Sequence, residues 1–158
     1  MTNRTTVERK SERELVVTRT FNAPARLVFE AWTKPELLKL WWAPKSLGMG
    51  MALVSCEADV RVGGSYRFVF ANGMEFFGKY IEVTPHSRLA WTNEEGGGEA
   101  VTTLTLEEKA GKTLLVLRER HPSKEAVDEA IGFGEGLRET FGQLDELLVT
   151  LGANEGRS

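Results

Sequence analysis

The run from Pro122 to Leu151, PSKEAVDEAIGFGEGLRETFGQLDELLVTL, restricts the fold more than any other part of the chain. Val127, Ala130, Ile131, Gly134, Leu137, Phe141, Leu144, Leu148 and Leu151 recur at three- and four-residue steps, the spacing of one helix face. Lys124, Glu125, Asp128, Glu129, Arg138, Glu139 and Glu146 mostly take the other face. Ser123 is placed to cap the start, acids follow it in the first turns, and Gly152 supplies a stop. A helix of this length runs about 40 Å at roughly 1.5 Å per residue. Its single apolar stripe needs a broad partner surface, and the rest of the chain reads as a sheet.

Upstream, Leu15 to Phe21 alternates and is rich in β-formers, which predicts a first strand. Two short helices follow. Ala25 to Thr33 groups Leu27, Val28, Ala31 and Trp32 on one side, with Asn22 as a cap and Pro24 near the start. Glu36 to Trp42 follows Pro35 and stops before Pro44. From Ala52 the period becomes two. Strands are expected at Ala52 to Arg61, Ser65 to Phe70, Met74 to Thr84, Leu89 to Asn93, Val101 to Glu108 and Thr113 to Arg120. Gly63-Gly64, Asn72-Gly73, Pro85 to Arg88, Glu95 to Glu99 and Ala110-Gly111-Lys112 supply the turns. In the strand at Met74 to Thr84, Phe76 and Tyr80 are on one parity and Phe77, Ile81 and Val83 on the other. A bulge near Gly78 would reconcile them. The order gives an α+β domain, an antiparallel sheet with its helices on one side. Domain limits are read as a flexible arm at 1–13, one domain at 14–151 and a tail at 152–158.

Composition excludes several functions. With 158 residues, 41% hydrophobic and 27% charged, the chain fits one globular domain with a real core. A net charge of −3 gives nucleic-acid binding no electrostatic support. Cys56 is the only cysteine, so no intrachain disulfide forms. The opening MTNRTTVERKSERE has no apolar segment of a signal peptide, and no run reaches the roughly 18 residues of a membrane span. A cytoplasmic protein without membrane contact is expected. His86 and His121 are the only histidines and have no acid or thiol at ligand spacing, so no metal is expected. The serines form no nucleophile elbow and the glycine runs no phosphate loop, so no cofactor is expected either.

The stretches WTKPELLKLWWAP, RVGGSYRF and GKYIEVTPHSRLAWT, followed by the closing helix, together resemble the SRPBCC or START-like superfamily. More narrowly, they are similar to its branch named for the activator of heat-shock protein 90 ATPase. The resemblance covers about Glu14 to Leu151. It implies a helix-grip fold, also called birch-pollen-allergen-like, in which a curved antiparallel sheet wraps a long C-terminal helix around an apolar cavity. It also implies a hydrophobic small-molecule ligand, cyclase-like or other enzyme activity, or contact with a chaperone. The last is the weakest, since chaperone activators of this type carry a further N-terminal domain.

Candidate site residues each have two readings. Trp41 and Trp42 are adjacent on a short helix, so one packs while the other faces a cavity mouth or solvent. Tyr66, Phe68, Phe70, Phe76, Tyr80 and Trp91 are core residues or aromatic cavity walls, as are Phe133, Leu137 and Phe141 on the helix. Glu119 shares a parity with Leu115 and Leu117. It is either a carboxyl group inside a pocket or a solvated strand end paired with Arg118 or Arg120. Gly132, Gly134 and Gly136 each cost the helix roughly 1 kcal/mol relative to alanine, either for close packing or for plasticity at a ligand entrance. The leading expectation is binding of a hydrophobic or aromatic molecule. A cyclase or hydrolase using Glu119 or Tyr80 and a chaperone contact are the rivals. Exposed sheet edges fit a monomer or a weak homodimer.

Overall fold

The structure is a computed structural model. It describes residues 5–42, 53–71, 73, 75–94, 100–121 and 123–155, with the side chains of 129–137 and 153–155 outside the description. In chain order the elements are β1 (Thr6–Ser11), β2 (Glu14–Phe21), α1 (Ala25–Thr33), α2 (Pro35–Trp41), β3 (Leu53–Ala58), β4 (Ser65–Phe70), β5 (Glu75–Thr84), β6 (Arg88–Asn93), β7 (Ala100–Lys109), β8 (Lys112–Arg120) and α3 (Lys124–Glu155). One sheet has the order β1-β2-β8-β7-β6-β5-β4-β3, with every pairing antiparallel. The expected α+β architecture with a long C-terminal helix is therefore present.

Alternation builds one apolar face. Leu15, Val17 and Phe21 of β2, Leu115 and Leu117 of β8, Leu104 and Leu106 of β7, and Leu89 of β6 are all buried. All of these except Leu15 join one core with Leu27, Val28 and Ala31 of α1 and with Phe141, Leu144 and Leu148 of α3. Full burial of each such large side chain stabilises by about 1.5–3 kcal/mol. Ser123 caps α3, its Oγ accepting from the Ala126 amide at 3.2 Å. The β7–β8 hairpin turns at Ala110 and Gly111, both at positive φ, as a two-residue loop of matching twist requires. Glu82 and Arg88 pair across the Pro85 turn at 2.8 Å.

Several boundaries differ from expectation, each through a contact that sequence spacing does not carry. Within the segment read as a flexible arm at 1–13, the described residues from Thr5 on are not free, while 1–4 lie outside the description. Thr6–Ser11 is an edge strand paired with β2, and its charged residues suit an edge. Its start is held by two arginines, since Arg19 Nη1 donates to Thr5 Oγ1 at 2.8 Å and Arg138 donates to the Thr5 carbonyl. Arg9 reaches Asp128 of α3 at 2.5 Å. At the other end α3 continues through Gly152 to Glu155, where a Cβ at 152 would meet nothing.

The first amide of α1 is not capped by Asn22. It donates to Glu108 Oε1 of β7 at 2.7 Å. Strand β3 ends at Ala58, short of the expected Arg61, and Ala52 lies outside the described residues. The Asn72-Gly73 turn and the 95–99 loop lie partly or wholly outside the described residues.

The bulge in β5 falls between Tyr80 and Glu82, while Gly78 pairs in regular register with Tyr66. Phe76, Gly78 and Tyr80 therefore face inward and Phe77 and Ile81 outward. The extra residue flips the parity, and Val83 packs on the core. Gly78 has a different task, because a Cβ there would lie 2.0 Å from the Thr92 carbonyl oxygen. Only glycine lets the end of β6 come this close.

Candidate functional site

The inner face of the sheet has two unlike ends. One lies beneath α1 and α2. There Trp32 stands at the centre of a ring cluster, with ring centroids 4.9 Å from Trp41, 5.6 Å from Trp42, 5.9 Å from Trp91 and 6.3 Å from Phe141. Trp41 is fully buried and its indole N–H donates to the Ala31 carbonyl at 2.9 Å. Gln143 of α3 donates to the Trp41 carbonyl at 3.0 Å and locks the helices together. Trp42 is half-buried and rests edge-on against Phe68, 5.6 Å away. Of the two adjacent tryptophans, then, Trp41 is core and Trp42 is the partly accessible one. Phe141 is also core, wedged against Phe21, Trp32 and Trp41.

The second end is a single rung across five strands. Leu15 pairs with Glu119, Glu119 with Thr102, Thr102 with Trp91, and Trp91 with Tyr80. Residues paired directly across strands share a face, so the inner surface carries a carboxyl, a hydroxyl, an indole and a phenol in one line. Around it, Asn93 Nδ2 donates to Thr102 Oγ1 at 2.6 Å, and the Tyr66 hydroxyl donates to the Thr92 carbonyl at 2.6 Å. Glu119 is not a solvated strand end. Its side chain is 12% exposed, and its Oε1 lies 3.0 Å from His121 Nε2. The partner is thus neither Arg118 nor Arg120: Arg118 instead holds Glu14 at 2.9 Å.

Burial pushes the Tyr80 hydroxyl well above its ordinary range, with Cys56 adding to the effect, so this phenol stays protonated. It can donate a hydrogen bond and is a poor base. Burial likewise pushes the Cys56 thiol up to about 11, which makes it an inert side chain of β3.

Of the residues expected at a site, the structure brings Tyr80, Trp91 and Glu119 onto one rung and sets Tyr66 and Phe68 beside Tyr80 and Trp42. Phe70 and Phe76 pair with each other at 5.2 Å, near the end of the β4–β5 hairpin. Phe133, Leu137 and the glycines at 132, 134 and 136 fall in the part of α3 whose side chains lie outside the described residues. Asn93, Thr102, His121 and Trp32 were not anticipated. The first three become visible only once strand register is known. Trp32 counts as one more apolar residue in a helical pattern, which says nothing about its N–H. Among the described residues no three metal-ligating side chains come together, and no helix is long and apolar enough to cross a membrane.

The sequence profile of the family described as "Activator of Hsp90 ATPase homolog 1-like protein" matches residues 22–149. No curated protein matches the chain. Among solved structures, a protein from Nitrosomonas europaea is 29% identical, with a TM-score of 0.77 over 92% of this chain and 99% of that one. One from Staphylococcus epidermidis is 28% identical, with a TM-score of 0.70 over 92% and 94%. One from Rhodobacter sphaeroides is 24% identical with a TM-score of 0.82 over 94% and 99%, a likeness of fold alone. The match spans α1 to the last turns of α3, the elements that frame both ends of the inner face, and on that evidence the chain belongs to the Activator of Hsp90 ATPase homolog 1-like family.

Proposed function

We propose that this protein binds a hydrophobic, aromatic small molecule between the inner face of the sheet and α3. The observation that carries the reading is the rung Tyr80–Trp91–Thr102–Glu119. A face meant only for packing has no use for a carboxyl and two hydroxyls in line with an indole, because each buried polar group must find a partner. Apolar walls with a few convergent polar groups are instead the usual make-up of a small-molecule site. The half-buried Trp42 against Phe68 supplies an aromatic border.

The test is titration with N-phenyl-1-naphthylamine, whose emission rises in apolar surroundings, on wild type and Gly134→Leu. Saturable binding by wild type is expected, with loss of binding and little change in melting temperature in the variant, since leucine favours helix. In a solid core the same change overpacks and destabilises by about 1–3 kcal/mol. That outcome, or unchanged probe binding in a stable variant, rejects the reading.

A second reading, an acid–base enzyme of cyclase or hydrolase type in the same place, has one observation in its favour: Glu119 is largely shielded and held by His121 at 3.0 Å. Glu119→Gln separates the two, since an enzyme loses turnover of its substrate while a binding protein has none to lose. Chaperone contact, which the family's description suggests, has no supporting feature among the described residues.

A further inference from the structure

We propose that Trp32 is a recognition point of this site, its indole N–H reserved for an acceptor oxygen on the ligand. The inference rests on the small-molecule reading above. Trp32 is 3% exposed and its Nε1 has no hydrogen-bond partner among the described residues. Folded proteins seldom leave a buried donor unpaired, and each case calls for a cause. The fold can pair an indole in this very cluster: Trp41, 4.9 Å away ring to ring, donates to the Ala31 carbonyl.

The surroundings narrow what the missing partner is. The neighbouring rings of Trp41, Trp42, Trp91 and Phe141 offer no oxygen, and a buried water needs two to four polar partners to stay. A ligand atom with lone pairs needs only the one donor. Trp91 lies 5.9 Å from Trp32 and stands in the rung between Tyr80 and Thr102, so a molecule lying along the rung comes up beside Trp32 where it crosses Trp91. Rings around a lone donor select a flat molecule bearing a hydrogen-bond acceptor. We assign the ligand to aromatic compounds that carry a carbonyl or ether oxygen, rather than to pure hydrocarbons or acyl chains.

Two naphthalenes of similar size test this, 2-acetylnaphthalene and 2-ethylnaphthalene, titrated into wild type and Trp32→Phe by calorimetry. The ketone is the more water-soluble, so an apolar pocket alone favours the hydrocarbon. With the N–H engaged, wild type binds the ketone about three- to tenfold more tightly, the gain of one ordinary hydrogen bond. Trp32→Phe then loses that margin and keeps its affinity for 2-ethylnaphthalene.

A second readout needs no variant. The chain has four tryptophans and so four indole N–H resonances. The Trp32 resonance should move downfield with the ketone and stay with the hydrocarbon. Equal binding of both probes by wild type, or an unmoved Trp32 resonance with ketone bound, overturns the proposal while leaving the small-molecule reading intact. Binding of neither probe overturns both.

Discussion

The two ends of the inner face share one sheet and one helix, yet they spend their side chains differently. Beneath α1 and α2 the rings of Trp32, Trp41 and Phe141 meet one another, and Trp41 satisfies its N–H within the cluster. Along the rung, polar groups meet each other instead: Asn93 with Thr102, Glu119 with His121. The difference teaches that the sheet has one job at each end. The first end fixes α3 through contacts that cannot be altered cheaply. The second is buried as well, but there the groups that meet are polar side chains set among the core rings of Tyr80 and Trp91.

The largest expected effect comes from attacking the packed end. Phe141→Ala removes a fully buried ring in contact with Phe21, Trp32 and Trp41. It should cost about 3–5 kcal/mol in urea denaturation. A loss below about 1 kcal/mol would mean that this end is as permissive as the other. Thr102→Val keeps the shape of the rung but removes the acceptor of Asn93, and should cost about 1 kcal/mol. A loss as large as that of Phe141→Ala would erase the contrast.

A separate test, which needs no substitution, is on the thiol of β3. Burial favours the neutral form of Cys56, raising it from 9.0 to about 11. At pH 8 the folded protein should therefore react with iodoacetamide roughly a hundredfold more slowly than the urea-unfolded chain. The rate should climb with pH until about 11. The sign for stability follows: the folded state holds this proton more tightly, so its contribution is complete below pH 9.0 and declines as pH rises toward about 11. Equal rates at pH 8 would place Cys56 on an open surface.

Periodicity made the long helix, the strands β4 to β8 and the limits of α1 legible, because each is governed by neighbours in sequence. Strand β1 was hidden because charged residues on an edge carry no alternating signal, and only Thr5, Arg19 and Arg138 show what holds it. The bulge belongs at Ile81 rather than Gly78 because pairing with β6 decides it. Aromatic candidates for the site could be named from residue type and strand parity. Their division into core and rung could not, since Phe141 and Tyr80 read alike until register and packing separate them. His121 stood beyond a strand end, where parity makes no claim, and the idle N–H of Trp32 is a property of packing alone.

The bond from the Ala25 amide to Glu108 has a consequence in time. A helix as short as α1, nine residues long, is marginal by itself and begins with no side-chain cap of its own. Its first amide waits for a carboxyl that the chain supplies 83 residues later. During synthesis α1 leaves the ribosome well before β7 exists. That bond can therefore form only after β7 has been made, so the start of α1 is completed by a residue from much later in the chain.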